Sequence, residues 1–161
     1  MKTLWAPWRR KYILDKGEKG CIFCHGLSDG AKLTLYNGSF SMVMMNKYPY
    51  TNGHMLVAPK RHVASLEDLS FDEMGDLLRM VRDSVGILKK VMKPDGFNVG
   101  LNLGAVAGAG VEEHLHLHVV PRWHGDTNAM TVLADVRVVS EHLEVTYRNL
   151  RPHFEILESA G

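Results

Sequence analysis

The segment HLHLHVV, residues 114–120, carries histidine at alternate positions with apolar residues between them. Strict alternation is typical of a β-strand, in which successive side chains point to opposite faces of the sheet. We therefore expect His114, His116 and His118 to share one face, at spacings of about 6.5–7 Å. Because like charges at this spacing repel, at least one imidazole should be neutral near neutral pH. The opposite, core face is predicted to hold Leu115, Leu117 and Val119.

The residue types alone leave three interpretations of this histidine row open. Two of the histidines could chelate a catalytic zinc ion. Alternatively, one ring could be a nucleophile whose neighbours orient it and assist the leaving group. The third interpretation is structural, with ordinary hydrogen-bonded imidazoles. Three histidines on one face favour chemistry, with nucleophilic catalysis ahead of metal binding.

A glycine-rich loop, LNLGAVAGAGVEEH, leads directly into the histidine row. Small residues such as Gly104, Gly108 and Gly110 let backbone N–H groups approach and cradle an anion. No Lys-Ser or Lys-Thr follows, so the loop is not a Walker loop. A flexible turn is the alternative interpretation, but the neighbouring imidazoles favour a phosphate site.

Cys21 and Cys24 form a Cys-x-x-Cys pair and are the only cysteines of the chain. They could be a redox pair, two unligated thiols or half of a zinc site. A redox pair usually opens a helix within a βαβ pattern, which is absent here, so zinc is favoured. Histidines 54, 62, 114, 116 and 118 could supply the remaining ligands. Two cysteines also exclude a disulfide framework, which makes the cytoplasm the expected compartment.

Chain length and net charge limit the kinds of protein that this sequence can encode. The chain has 161 residues and a net charge of +1, which suits one soluble domain and argues against a nucleic-acid or membrane partner. No run of apolar residues is long enough to span a bilayer. Residues 1–20 lack the apolar core of a signal peptide and are predicted to form a basic, aromatic arm. A cluster of Trp5, Trp8, Arg9 and Arg10 in that arm is interpreted mainly as packing.

The elements that must position these groups can be read from periodicity and turn signals. Asn37-Gly38 predicts a two-residue hairpin, because both positions tolerate φ > 0. Ser70 and Glu73 form a capping box for one long helix that ends at Pro94. Its apolar face is predicted to hold Met74, Leu77, Leu78, Val81, Val85, Leu88 and Met92. The predicted strands are Lys32–Tyr36, residues 39–45, His54–Ala58, Phe97–Leu101 and the histidine segment.

A final helix is expected from near Ser140, with Leu143, Tyr147 and Leu150 on one face, until Pro152 disturbs it. Residues 140–161 thus form a C-terminal helix and tail. This order of elements predicts an α+β fold with a mainly antiparallel sheet, one long helix and a C-terminal helix, in a single domain over residues 1–161.

The histidine row has the form His-φ-His-φ-His-φ-φ, where φ is apolar, and resembles the histidine triad (HIT) superfamily of nucleotide hydrolases and transferases. The motifs CIFC, MMNKYPYTNGHMLVAPKRHV, GFNVGLNLG and EHLHLHVVPRW fall in that family's order over nearly the whole chain. The segments LWAPWRRKYI and HVVPRWHGDTN look most like the branch containing diadenosine tetraphosphate phosphorylase. The resemblance implies a HIT-like homodimer that binds the AMP moiety of a nucleotide.

The resemblance also implies a mechanism. His116 would attack the α-phosphorus, with its other ring nitrogen donating to the His114 carbonyl. His118 would contact the phosphate and help the leaving group depart, and water or phosphate would then release the nucleotide. His54 would buttress the row. The segment HGDTN, residues 124–128, could rim the pocket.

Further positions carry over as nucleotide contacts or metal ligands. Asn46 matches a ribose-binding residue, and Asn102 matches a residue near the phosphates. In zinc-bearing members the ligands would match Cys21, Cys24, His62 and His114, which make a saturated structural site. The resemblance implies no organic cofactor.

The sequence departs from the family pattern just before the row. Many members carry Gln followed by Ser or Thr where this chain has Gly110 and Val111, so backbone N–H groups would have to contact the phosphate. This weakens any transfer of substrate preference from the phosphoramidate-hydrolysing branch. A nucleotide-binding regulatory module, a zinc hydrolase and a hydrolase of other nucleoside 5′-phosphate derivatives are the alternatives.

Overall fold

The computed structural model describes residues 20–26, 32–126 and 139–159. The helices are α1 (Ile22–Gly26), α2 (Phe71–Met92) and α3 (Leu143–Ser159). The strands are β1 (Thr34–Asn37), β2 (Ser41–Met45), β3 (Met55–Pro59), β4 (Gly96–Leu101) and β5 (Leu117–Arg122). Short 3₁₀ turns cover Leu66–Asp68 and Ala105–Ala107. The predicted arm lies outside the described residues except for Gly20.

The five strands form one sheet in the order β1-β2-β3-β5-β4, and every neighbouring pair is antiparallel. The α+β class and the antiparallel sheet predicted from the sequence are therefore confirmed. β5 is an interior strand, paired with β3 on one side and β4 on the other. The histidine row thus enters the sheet where both neighbours fix its position.

One face of the sheet is the main core, covered by α2 and α3. Val43 and Met45 of β2, and Met55 and Val57 of β3, point into it and are fully buried. Leu115, Leu117 and Val119 join this core, as the alternation predicted. The alternate residues of β2 and β3 belong to a smaller cluster on the opposite face, with Cys21 and Phe23. Both faces of the central strands are therefore covered, as their continuous apolar sequences allow.

The capping box that opens α2 is present as predicted. The Ser70 side chain accepts from the Glu73 N–H at 3.2 Å, and the Glu73 carboxylate accepts from the Ser70 N–H at 2.8 Å. The prediction that Leu78 lies on the buried face is wrong, because its side chain is 65% exposed. Adjacent positions on a helix point about 100° apart, and Leu77 takes the inward direction. Met80, which the prediction left out, is fully buried.

Two further expectations are corrected by the structure. Neither Asn37 nor Gly38 adopts positive φ. The register pairs Asn37 with Met42, so the connection is wider than two residues and needs no mirror-image turn.

Pro152 does not disturb the last helix, since α3 continues through it to Ser159. Leu150 and Phe154, on either side of the proline, are fully buried. Their burial outweighs the loss of one backbone hydrogen bond.

None of the helices within the described residues is both long and apolar enough to cross a membrane.

Candidate functional site

The histidine row lies on the sheet face opposite the main core. The regular strand begins at Leu117, and the preceding residues are held by the Leu115 N–H, which donates to the Val63 carbonyl at 2.7 Å. The ring centroids of His116 and His118 are 5.1 Å apart. The predicted alternation is thus confirmed, although the first two histidines precede the hydrogen-bonded strand.

The ring of His116 has a defined protonation pattern. Its Nδ1 lies 2.9 Å from the carbonyl oxygen of His114. A carbonyl oxygen only accepts, so Nδ1 carries the proton and donates. Burial lowers the pKa of His116, since only 5% of the residue is exposed, although this hydrogen bond opposes the shift. The ring is therefore neutral near neutral pH, and its Nε2 bears a lone pair.

His54 sets the protonation of His118 through a chain of hydrogen bonds. The backbone N–H of Tyr50 donates to Nδ1 of His54 at 3.1 Å, so the proton of neutral His54 sits on Nε2. That Nε2 lies 2.9 Å from Nδ1 of His118 and donates to it. Neutral His118 must then carry its own proton on Nε2. His54 is fully buried, in keeping with the buttressing position that the sequence resemblance implied.

The amide of Asn46 supports the same arrangement. Its Oδ1 accepts from the Tyr48 N–H at 2.9 Å, which leaves Nδ2 facing Nδ1 of His54 at 3.3 Å. The Tyr50 N–H and the Asn46 amide therefore both donate towards Nδ1 of His54. The expected ribose contact of Asn46 is a separate role, and its side chain is only half-buried.

Nε2 of His118 is buried and has no hydrogen-bond partner within the described residues. Since this atom carries the proton, the site presents an unsatisfied N–H donor beside the lone pair of His116. Burial lowers the pKa of His118, and the nearby His116 lowers it further. A buried donor without a partner is costly unless a ligand accepts from it. An anionic oxygen would satisfy it.

The glycine-rich loop is tied to β4 by Asn102, whose Nδ2 donates to the Gly108 carbonyl at 3.2 Å. Gly104 and Gly108 adopt φ of 81° and 93°, a conformation that side chains disfavour. An added Cβ at Gly110 would meet no atom of the described residues within 4 Å. The loop is therefore held by the Asn102 side chain and by its glycine conformations, with open space beside Gly110.

Four side chains at one end of the row form a group that could hold a metal ion: Cys21, Cys24, His62 and His114. Nδ1 of His114 lies 3.2 Å from Sγ of Cys21 and 3.2 Å from Nδ1 of His62. Sγ of Cys24 lies 3.4 Å from Nδ1 of His62 and 3.7 Å from Nδ1 of His114.

These four separations are close to those around a tetrahedrally coordinated ion, and all the ligand atoms lie within 4.8 Å of one another. Bond lengths of about 2.0–2.3 Å place neighbouring ligand atoms of a tetrahedral zinc site about 3.3–3.8 Å apart. Nε2 of His114 donates to the Pro59 carbonyl at 2.8 Å, which leaves the Nδ1 lone pair for the ion. The set matches the one implied by the sequence resemblance. His116 and His118 lie outside it, so within the described part of the chain the row is divided rather than being one ligand set.

Sequence reasoning missed two aromatic residues of the site. Phe23 is fully buried, and its ring lies against both His114 and His116. The ring of Tyr50 lies nearly parallel to that of His118, 11° from it at 5.8 Å. Both residues stand inside motifs already singled out, but no periodicity marks them. Of the HGDTN segment, His124 is exposed, while Thr127 and Asn128 lie outside the described residues.

Comparison with known proteins gives a consistent set of matches. The HIT domain family matches residues 31–125. The chain is 37% identical to AP-4-A phosphorylase of Mycobacterium tuberculosis, over 93% of this chain and 83% of that protein. It is 36% identical to the asymmetrical bis(5′-nucleosyl)-tetraphosphatase of Schizosaccharomyces pombe, over 56% of this chain and 50% of that protein.

A solved structure has the same fold. The crystal structure of a zinc-bound histidine triad family protein from Mycobacterium smegmatis superposes with a TM-score of 0.69 at 29% identity. The match covers 90% of this chain and all of that one.

Proposed function

The chain belongs to the HIT domain family and is an enzyme of that family, and we propose that it transfers a nucleotidyl group from a dinucleoside polyphosphate through a covalent intermediate on His116. The preferred substrate is diadenosine tetraphosphate, since two relatives carry names that refer to dinucleoside tetraphosphates. The observation that carries the proposal is the juxtaposition of a lone pair on His116 and an unsatisfied N–H on His118. The lone pair can attack an electrophilic phosphorus, and the N–H can donate a hydrogen bond to an anionic oxygen of the phosphate chain.

The first step forms a bond between Nε2 of His116 and the α-phosphorus. It breaks the bond from that phosphorus to the bridging oxygen of the phosphate chain. The leaving group departs as a nucleotide anion, so it needs a hydrogen-bond donor and not a proton. The N–H of His118 supplies that donor, because His54 holds its proton on Nε2.

The second step releases the nucleotide from His116. Water or inorganic phosphate attacks the phosphorus, and the bond to Nε2 breaks. Asn46 and Asn102 are proposed to contact the ribose and the phosphates, respectively. Backbone N–H groups of the loop around Gly108 and Gly110 are proposed to bind the phosphate oxygens, since Gly110 and Val111 offer no polar side chain there.

We further propose that Cys21, Cys24, His62 and His114 hold a structural zinc ion. The ligand types and their separations support zinc. A Cys₂His₂ set leaves no open position, so the ion would tie α1 to the histidine row and take no part in the reaction.

A homodimer is the proposed assembly. β4 is an edge strand of the described sheet, and Val99 on it is 48% exposed. Phe71 and Leu78 on α2 are 89% and 65% exposed. Pairing of these surfaces would cover them, and sedimentation equilibrium would measure the mass of the assembly. The cytoplasm is the proposed compartment, on the cysteine usage alone.

Product analysis with diadenosine tetraphosphate, with and without inorganic phosphate, tests the function. Release of ADP and ATP that requires phosphate would identify a phosphorylase. Release of AMP and ATP at the same rate without phosphate would identify a hydrolase. Adenosine phosphoramidate is the comparison substrate. Turnover of neither compound by zinc-loaded protein would contradict the proposal.

A further inference from the structure

Phe23 occupies an unusual position in the Cys-x-x-Cys segment. Its neighbours face outward, since Ile22 is 44% exposed and Cys24 is exposed, yet Phe23 is fully buried. α1 has only five residues, so helical periodicity gives it no apolar face of its own. The inward direction of Phe23 must therefore come from the surface beneath it.

That surface is the small cluster on the histidine face of the sheet. Phe23 packs there with Met42, Met44, Leu56 and Ala58 from β2 and β3. Its burial, beside that of Cys21 in the same cluster, anchors α1 to the central strands. The anchor places an aromatic ring directly beside the histidine row.

The ring of Phe23 contacts two histidines at once. Its centroid lies 4.9 Å from that of His114 and 5.0 Å from that of His116, with interplanar angles of 41° and 34°. His118 lies against the same His116 ring at 5.1 Å, with an interplanar angle of 61°. The imidazole of His116 is thus enclosed by one aromatic ring and one imidazole.

This enclosure matters because one hydrogen bond does not fix a ring. The contact from Nδ1 of His116 to the His114 carbonyl fixes one atom, and the imidazole can still tilt about it. Nε2, on the far side of the ring, moves most in such a tilt. Attack on phosphorus requires that nitrogen to be aligned to within a fraction of an ångström.

From this geometry we propose that Phe23 is a positioning residue, which holds the imidazole of His116 so that Nε2 points at the reacting phosphorus. The inference rests on the proposed function for its chemical meaning. Phe23 touches no reacting atom and acts only through His116. A flexible apolar side chain of similar volume would fill the space without presenting a flat surface to the imidazole.

The test compares Phe23→Met with Met42→Leu. Both are volume-conserving changes at fully buried positions of the same cluster, but only the first removes an aromatic ring. Long-range ¹H–¹⁵N correlation spectra of the histidine rings report the tautomer and the order of His116 without turnover. Steady-state kinetics give kcat and KM, and elemental analysis gives the metal content. Phe23→Leu is the second variant if Phe23→Met does not fold.

In Phe23→Met we expect averaged or broadened ring signals of His116, a kcat lower by about 10- to 100-fold, and unchanged KM and metal content. Met42→Leu should match the wild type in all four measurements. Wild-type ring signals and kcat in a folded Phe23 variant would overturn the inference. Loss of metal together with activity in both Phe23 variants would also overturn it, because the effect would then belong to the Cys/His cluster. If the wild type turns over no nucleotide, the proposed function fails while the spectra still decide the role of Phe23.

Discussion

The carbonyl oxygen of His114 accepts a hydrogen bond from His116, while the imidazole of the same residue lies 3.2 Å from the thiol of Cys21. One residue therefore serves two sites, with its main chain on the proposed nucleophile and its side chain in the proposed metal cluster. The two sites can be separated by substitution, because no side-chain change removes the carbonyl.

Replacement of His116 by alanine should abolish the reaction. We expect kcat/KM for diadenosine tetraphosphate to fall by at least about a thousandfold, because the covalent step loses its nucleophile. Rapid acid quench should trap a nucleotide on the wild-type protein and none on the variant. His142→Ala, at an exposed imidazole outside the predicted pocket, is the control. Wild-type turnover by His116→Ala would exclude the covalent mechanism.

The N–H of His118 should be replaceable in part by another donor. His118→Leu removes the donor and should lower kcat by about 10²- to 10³-fold. His118→Gln offers an amide N–H and should retain more activity than the leucine variant. Steady-state kinetics of the pair measure this. Equal losses in the two variants would show that donation from this position is not what the reaction requires.

Zinc should depend on the cysteines and not on the nucleophile. Elemental analysis should give one zinc per chain in the wild type and in His116→Ala, and none in Cys24→Ser. A chelator should lower the melting temperature of the wild type and leave that of Cys24→Ser unchanged. Zinc that survives Cys24→Ser but is lost in His116→Ala would instead place the ion on the histidine row.

Acid should weaken the anchor at the start of α2. The hydrogen bond from Arg61 and the N–H of Ser70 lower the pKa of Glu73 from 4.5 to about 2. The unfolded chain therefore takes up this proton first, and the stabilisation is lost as the pH falls from about 4.5 towards 2. In Glu73→Gln the free energy of unfolding should decrease less over this window. Urea titrations at a series of pH values measure the difference, and any loss of the proposed zinc at low pH would be common to both proteins. Parallel pH profiles would contradict the assignment.

Pro152 should be a point of avoidable instability in α3. Alanine at this position restores an N–H that can donate to the carbonyl of Arg148, four residues earlier. We expect Pro152→Ala to raise the free energy of unfolding by about 1–3 kcal/mol. The greater conformational entropy of the unfolded alanine variant opposes part of this gain. Denaturant titration checks the value, and activity should not change. A lower stability would mean that the helix depends on the fixed φ of the proline.

The sequence predicted most of what depends on local periodicity. Alternation assigned the faces of the histidine row, and the pair of Ser70 and Glu73 located the start of α2, because both signals need only neighbouring residues. Periodicity did not distinguish the adjacent Leu77 and Leu78, both of which were predicted on the buried face, although a helix can point only one of them inward. The turn at Asn37 failed for a different reason, because the register with β2 decides its length.

The site was foreseen in its residue types but not in its protonation. The acceptor from His114 followed from the family resemblance, whereas the donor from Tyr50 is a main-chain atom that no residue type reveals. Phe23 was overlooked because a single apolar residue between two cysteines has no periodic context. Such contacts depend on how separate segments meet, which only the folded chain specifies.

The atoms that fix the imidazole protons have a consequence for how the gene can vary. The His114 carbonyl and the Tyr50 N–H belong to the main chain, so almost any residue at either position would still supply the same group. The proton pattern of the site is thus buffered against missense change at those two positions. It is vulnerable instead to substitution of His54, which relays the pattern to His118, and to insertions, deletions or proline at position 50, which alter the path of the chain or remove the Tyr50 N–H.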